Sequence, residues 1–220
     1  MTSCQEPHEK GNGPASARTR GAILKTAAGL FLERGYGGTS VDLIAAEAGV
    51  ARQTIYNQFA SKEALFRAIF SALADEAMMP LAVAARKGAS MRAALLRLAR
   101  SHVAGALSPA RLALYRLVVA EAVHFPELGR AIYGVGAARV VRQLADFLRE
   151  GTRLGHLDVA NPEAAAEQFL SMVTGFQQFR GLMGLPAPSA EVDTRTEEAV
   201  DTFLRAFKGR PQRGMPRARR

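Results

Sequence analysis

The chain has 220 residues, 48% of them hydrophobic and 7% aromatic, with no Trp and a single cysteine. That is enough apolar chain for one large domain or two small ones, but it excludes an internal disulfide, and no run reaches the ~18 uncharged apolar residues of a membrane span. The net charge is +9, yet residues 63–208 are close to neutral and the last twelve residues alone hold five Arg and no acid.

Residues 1–15 are rich in Gly, Pro, Asn and Ser and read as a flexible leader, polar throughout and without the apolar stretch of a signal peptide. Cys4 lies in this leader, which fits a reducing compartment; the expected location is cytoplasmic, with no membrane partner. A first helix is expected over 16–35, with Ile23, Ala27, Leu30 and Phe31 on one face and Gly35 as its stop. Next comes a helix whose start is punctuated by Thr39 as N-cap, with Asp42 completing a capping box. Val41, Ile44, Ala45 and Ala48 form its buried face, and Gly49 sits where a left-handed stop belongs. A short second helix begins near Ala51. It turns Ile55 and Phe59 inward and Arg52, Gln53, Thr54, Tyr56 and Asn57 outward. Two short helices across a tight Gly-containing turn are what a protein needs to lay one helix in the major groove of DNA.

The remainder reads as helices throughout. One starts at Ser61 and is bent or ended at Pro80; others cover Ser90 to Ser108, Leu112 to Val123 (apolar and expected to be buried), and Pro126 to Glu150. Two more close the chain, Pro162 to Met183 and Ser189 to Lys208. No alternating strand pattern and no repeat is present. The fold expected is all-α with about nine helices. A three-helix helix-turn-helix domain over 16–62 precedes a helical ligand-binding and dimerisation domain over 63–208, and residues 209–220 form a basic disordered tail. That tail either adds non-specific phosphate attraction or merely solubilises the chain end.

The recognition helix is short, so only its first turns reach base edges. Arg52 can fork onto guanine and Gln53 can pair with adenine. Thr54 suits a thymine methyl or a phosphate, whereas Tyr56 and Asn57 suit phosphates, which set register without reading sequence. Thr39 and Ser40 open a helix whose free N–H groups favour a phosphate. One such helix reads too few bases, so a homodimer on two half-sites about one turn apart is expected. His102, Tyr115, His124, Phe125, Tyr133 and Phe179 place polar handles or rings in otherwise apolar helices, and are candidate contacts for a small hydrophobic or amphipathic ligand as well as for plain core positions. The four His, at 8, 102, 124 and 156, have no metal spacing, and no activated Ser or Cys motif occurs. No enzyme, metal or cofactor is expected. A DNA-binding protein without a ligand, whether constitutive repressor, activator or nucleoid-associated protein, remains an open alternative at this point.

The stretch from Arg18 to Phe66 resembles the DNA-binding domain of the TetR/AcrR family of bacterial regulators. The words that carry the resemblance are Ile23-Leu24-Lys25-Thr26-Ala27-Ala28, Leu30-Phe31-Leu32-Glu33-Arg34-Gly35-Tyr36, Ile44-Ala45-Ala46-Glu47-Ala48-Gly49-Val50, Thr54-Ile55-Tyr56-Asn57-Gln58-Phe59 and Ser61-Lys62-Glu63-Ala64-Leu65-Phe66. Arg116 to Ala122 and Phe125-Pro126-Glu127-Leu128 resemble the AefR-like C-terminal domain. The resemblance implies a homodimeric repressor that leaves a palindromic operator when a small molecule binds. It places Lys62 near the DNA backbone. It also gives the dimer face to the last two helices, where Phe169, Val173, Phe176, Leu182, Val200, Phe203 and Phe207 are the apolar candidates. Ala51 stands where family members often carry Ser or Thr, which forgoes a cap worth ~1 kcal/mol.

Overall fold

The computed structural model describes residues 14–86, 89–185 and 188–209. The leader with Cys4 and His8, and the tail from residue 210, lie outside the described residues. Ten helices form the described chain, with no strand and one isolated bridge between Leu157 and Lys208. They fall into two compact units that divide between Ile69 and Phe70.

The first unit contains α1 (Pro14–Arg34), α2 (Val41–Glu47), α3 (Arg52–Gln58) and the start of α4 (Lys62–Arg86). Ile23, Ala27, Leu30 and Phe31 of α1 are buried, as are Ile44 of α2, Ile55 of α3, Phe59 that follows it, and Leu65 and Phe66 of α4. Phe31 meets Phe66 edge-on at 4.8 Å, and Tyr36 stacks on Phe31 at 5.7 Å. Gly49 takes φ +63, a conformation that favours glycine. Its N–H donates to Ala46 O, and Val50 N–H donates to Ala45 O, so a Schellman turn ends α2 and fixes the direction of α3. The cap of α2 is Ser40, not Thr39: Ser40 Oγ accepts from Leu43 N–H at 3.1 Å. Thr39 is 1% exposed, and its hydroxyl lies 2.8 Å from Gly35 O and 3.2 Å from Leu30 O. Asp42 therefore sits in the first turn rather than closing a box with Thr39. Ser61 caps α4 by accepting from Ala64 N–H.

The second unit holds the rest of α4, then α5 (Met91–Ala106), α6 (Pro109–Ala122), α7 (Pro126–Val135), α8 (Ala137–Arg153), α9 (Pro162–Leu182) and α10 (Ser189–Ala206). Pro80 does not end α4, which runs to Arg86. Ser90, Ser108 and Asn161 cap α5, α6 and α9 through their side chains, and Pro109 and Pro162 follow at the first helical position, where no N–H is needed. The single helix expected from Pro126 to Glu150 is two. At Gly136 (φ −97, ψ −99) the backbone leaves the helical region, and a new helix starts with Val140 N–H on Gly136 O. α6 is not the buried helix its composition suggests. Leu112 and Leu114 are its buried residues, while Val119 is exposed. Arg116 instead reaches across to donate to Gly181 O and Leu182 O, satisfying carbonyls at the end of α9 with a positive charge. The core is built from Leu95, Leu98, Leu144, Leu148, Phe169, Val200 and Phe203, with Phe169 edge-on to Phe203 at 5.0 Å. No single helix among the described residues is long and apolar enough to cross a membrane.

Candidate nucleic-acid interface and ligand cavity

On α3 the alternation is sharp: Ile55 is buried, while Arg52, Gln53, Tyr56 and Asn57 are exposed and Thr54 is partly so. The exposed side chains hold one another at helical spacing. Gln53 Nε2 donates to Asn57 Oδ1 at 3.1 Å. Arg52 reaches back to Asp42 of α2 at 3.0 Å and forward to the Tyr56 hydroxyl at 3.4 Å, with its guanidinium over the Tyr56 ring. The Tyr56 hydroxyl and then the Asp42 carboxylate raise the Arg52 pKa further, so Arg52 is fully charged. With five donors on its fork, Arg52 can keep Asp42 on one edge and present another outward. Ala51 caps α3 without a side-chain hydrogen bond, leaving its first N–H groups open at the end where Arg52 and Gln53 stand.

Ser40 is exposed at the start of α2. Thr39 is not: its hydroxyl is occupied inside the unit, so of the two candidates only Ser40 presents its side chain at the surface. Lys62 is partly buried. Its ammonium donates to Tyr36 O at 2.8 Å and lies 4.3 Å over the Tyr36 ring, so it ties the start of α4 to the turn after α1. The pairing of Asp42 with Arg52 has no local sequence signal, because ten residues and a turn separate them.

In the second unit α4, α5, α6, α7, α8 and α9 line a cavity of about 490 Å³ that opens to solvent. Its wall is mostly apolar, with Phe70, Leu73, Val118, Ile132 and Leu170 among the lining residues. Of the six sequence candidates, His102, Tyr115 and Tyr133 line it. His124, Phe125 and Phe179 do not; His124 and Phe179 are exposed at the surface. Arg111, Ser171, Thr174 and Gln178 also line it and had no sequence signal beyond being polar residues in apolar helices. Burial, and then the charge of Arg111, depress the His102 pKa from 6.5 to about 4, so its ring is neutral at pH 7.

The expected dimer residues separate in the same way. Phe169, Val173, Val200 and Phe203 are at most 3% exposed and belong to the intramolecular core, so no partner can bury them further. Leu182 and Phe207 are half-buried. Phe176 is 79% exposed and packs edge-on against Phe179, and Met172, Met183 and Leu185 are exposed near them along the chain.

Residues 23–69 match the family model of tetR bacterial regulatory proteins, and residues 93–209 match that of the AefR-like transcriptional repressor C-terminal domain. A crystal structure assigned to the TetR family of transcriptional regulators from Mesorhizobium loti is 28% identical. It superposes with a TM-score of 0.74 over 89% of this chain and 100% of that one. The flavonoid-responsive regulator FrrA is 31% identical with a TM-score of 0.69, again over 89% of this chain and 100% of that one. YhgD, an HTH-type transcriptional regulator of Bacillus subtilis, is 45% identical over 65 residues, which are 26% of this chain and 34% of that protein. The match thus spans about a third of that relative's length.

Proposed function

The chain belongs to the TetR family of bacterial regulatory proteins and is a DNA-binding transcriptional regulator, and on that premise we propose that it is a cytoplasmic homodimeric repressor released from a palindromic operator by a small molecule. The observation that carries the DNA reading is the row of exposed polar side chains on α3, with Arg52 braced by Asp42 and Tyr56. Arg52 and Gln53 read bases, while Ser40, Tyr56 and Asn57 hold phosphates. Two copies are needed because one short helix covers too few base pairs. The exposed Phe176 and Phe179 on α9 supply the face on which the copies meet.

The cavity supports the ligand half of the proposal. Its volume falls in the usual range for small-molecule sites, and its wall combines apolar surface with a few polar groups. FrrA responds to flavonoids, and a flat amphipathic aromatic molecule of that kind suits this wall. The ligand lowers operator affinity by its preference for the form that does not bind DNA, and by no more than that.

Selection of bound duplexes from a random DNA pool at physiological salt tests the proposal. A recovered palindrome with half-sites one turn apart, released by a flavonoid-like molecule, supports it. Enrichment of nothing, with binding that vanishes as salt rises, would leave only the attraction of the basic residues for phosphate and remove the operator from the account.

A further inference from the structure

Two of the polar residues that line the cavity, Arg111 and His102, each keep a buried side-chain nitrogen without a hydrogen-bond partner, Nε and Nδ1. They belong to one corner of the fold. Arg111 stands in the first turn of α6, and its guanidinium lies over Gly105 of α5, where an added Cβ would come within 2.6 Å of Nη1. His102 stands one turn before Gly105 on the same helix. The glycine is what lets an arginine lie flat in this corner.

The charge balance of the corner is one-sided. The Arg111 side chain is only 11% exposed, and among the described residues the one carboxylate in ion-pair range of it is Glu76, 3.6 Å away and 73% exposed; Glu167 of α9 also lines the cavity but is exposed and forms no ion pair with Arg111. A carboxylate so well solvated offsets little of the cost of taking a guanidinium out of water. His102 adds no charge of its own, because its ring is neutral. Buried polar atoms are nearly always satisfied, so two lining residues that each retain an unpartnered nitrogen, one of them a cation, mark a corner of the cavity that lacks an acceptor.

We propose that the ligand of this cavity carries an acidic oxygen, a carboxylate or a phenolate, which pairs with Arg111 beside His102 while its apolar body fills the rest of the space. The inference rests on the reading of the cavity as a ligand site and adds the chemistry of the anchor. A guanidinium fork matches a carboxylate or phenolate oxygen through a charge-assisted hydrogen bond. The neutral imidazole can accept from a neighbouring hydroxyl or donate to the same oxygen.

The test uses the full chain and a panel of hydroxyflavones and arylalkanoic acids, each accompanied by its methyl ether or ester and by the matching amine. Dissociation constants are measured by calorimetry. Wild-type protein should bind the acidic members about 10- to 100-fold more tightly than their methylated partners, the range expected for a hydrogen bond to a charged group. Arg111→Gln should erase that difference and leave the affinity for the methylated compounds within about twofold. Should Arg111→Gln fail to fold, the comparison of matched compounds on the wild type decides alone. Equal binding of ethers and esters, or preference for the amines, would overturn the acidic anchor and leave the cavity as a ligand site. A panel in which nothing binds would overturn both.

Discussion

His102 makes the second unit sensitive to acid in a way that can be worked out beforehand. Burial, followed by the Arg111 charge, lowers its pKa from 6.5 to about 4. Between those two values the unfolded chain binds a proton that the folded chain refuses. The folded state is therefore at full advantage above pH 6.5 and loses stability as pH falls toward 4. For a single site with these two values the loss is about 2 kcal/mol at pH 5 and about 3 kcal/mol at pH 4. The assay is urea unfolding followed by circular dichroism from pH 7.5 down to the edge of acid unfolding, at one fixed protein concentration. Other groups titrate over the same span, so the quantity of interest is the difference from His102→Asn, which has nothing to protonate at this position. Asn lowers stability at every pH by leaving a gap; only the slope is informative. The wild-type profile should fall more steeply than that of His102→Asn by about 2 kcal/mol between pH 7 and pH 5. Parallel profiles would mean that His102 accepts its proton in the folded state, and the account of a buried, neutral imidazole beside Arg111 would be refuted.

Arg52→Ala should weaken a selected operator by roughly 5- to 150-fold per half-site and relax preference at one base position; equal weakening on every DNA would reduce Arg52 to a phosphate contact. Lys62→Ala should lower the thermal midpoint of the free protein, because Tyr36 loses both its hydrogen bond and its cation. It should also flatten the dependence of log affinity on log salt by about one unit per half-site. An unchanged salt dependence would leave Lys62 a purely structural tie. Phe203→Ala removes a fully buried ring that meets Phe169 at 5.0 Å and Phe207 at 4.7 Å, and should cost about 3–5 kcal/mol in chemical unfolding; a loss under about 1 kcal/mol would show that the core closes over the gap.

The first unit was legible from sequence because its punctuation is local. The glycine at 49, the inward pair Ile55 and Phe59 and the outward row on α3 are each set within a turn or two of chain. The cap was misplaced by one residue because Thr39 and Ser40 carry the same chemistry. Which hydroxyl faces the helix and which turns to Gly35 O depends on how α1 returns to α2, a tertiary matter. The break between α7 and α8 was hidden for a related reason. Glycine costs a helix only about 1 kcal/mol, so Gly134 and Gly136 did not declare which of them ends it. The cavity was half legible: His102, Tyr115 and Tyr133 were polar handles on apolar faces, whereas Arg111 reads like a surface cation until Gly105 beneath it is seen.

α9 inverts the expectation that its apolar residues form the dimer face. Its inner stripe runs through Ala166, Phe169, Val173, Gln177 and Gly181, all buried. Gln177 and Gly181 thus occupy the two inward positions where apolar side chains would be expected. Gly181 makes room there for Leu112 of α6, whose Cδ1 would lie 2.9 Å from an added Cβ and would have to move aside. Met172, Phe176, Phe179 and Met183 meanwhile are exposed on either side of a break in α9 at Gly175 (φ 30, ψ −128) and just past its end. A helix that keeps a Gln inside and two Phe outside leaves an exposed apolar face for which its own unit supplies no cover. On the proposal that a second copy covers it, Phe176→Asp together with Phe179→Asp should give a folded monomer by sedimentation velocity, with the helical content of the wild type. That monomer should lose operator binding although α3 is untouched, because each head alone reads half a site. A double variant that still sediments as the wild-type dimer would remove this face from the assembly.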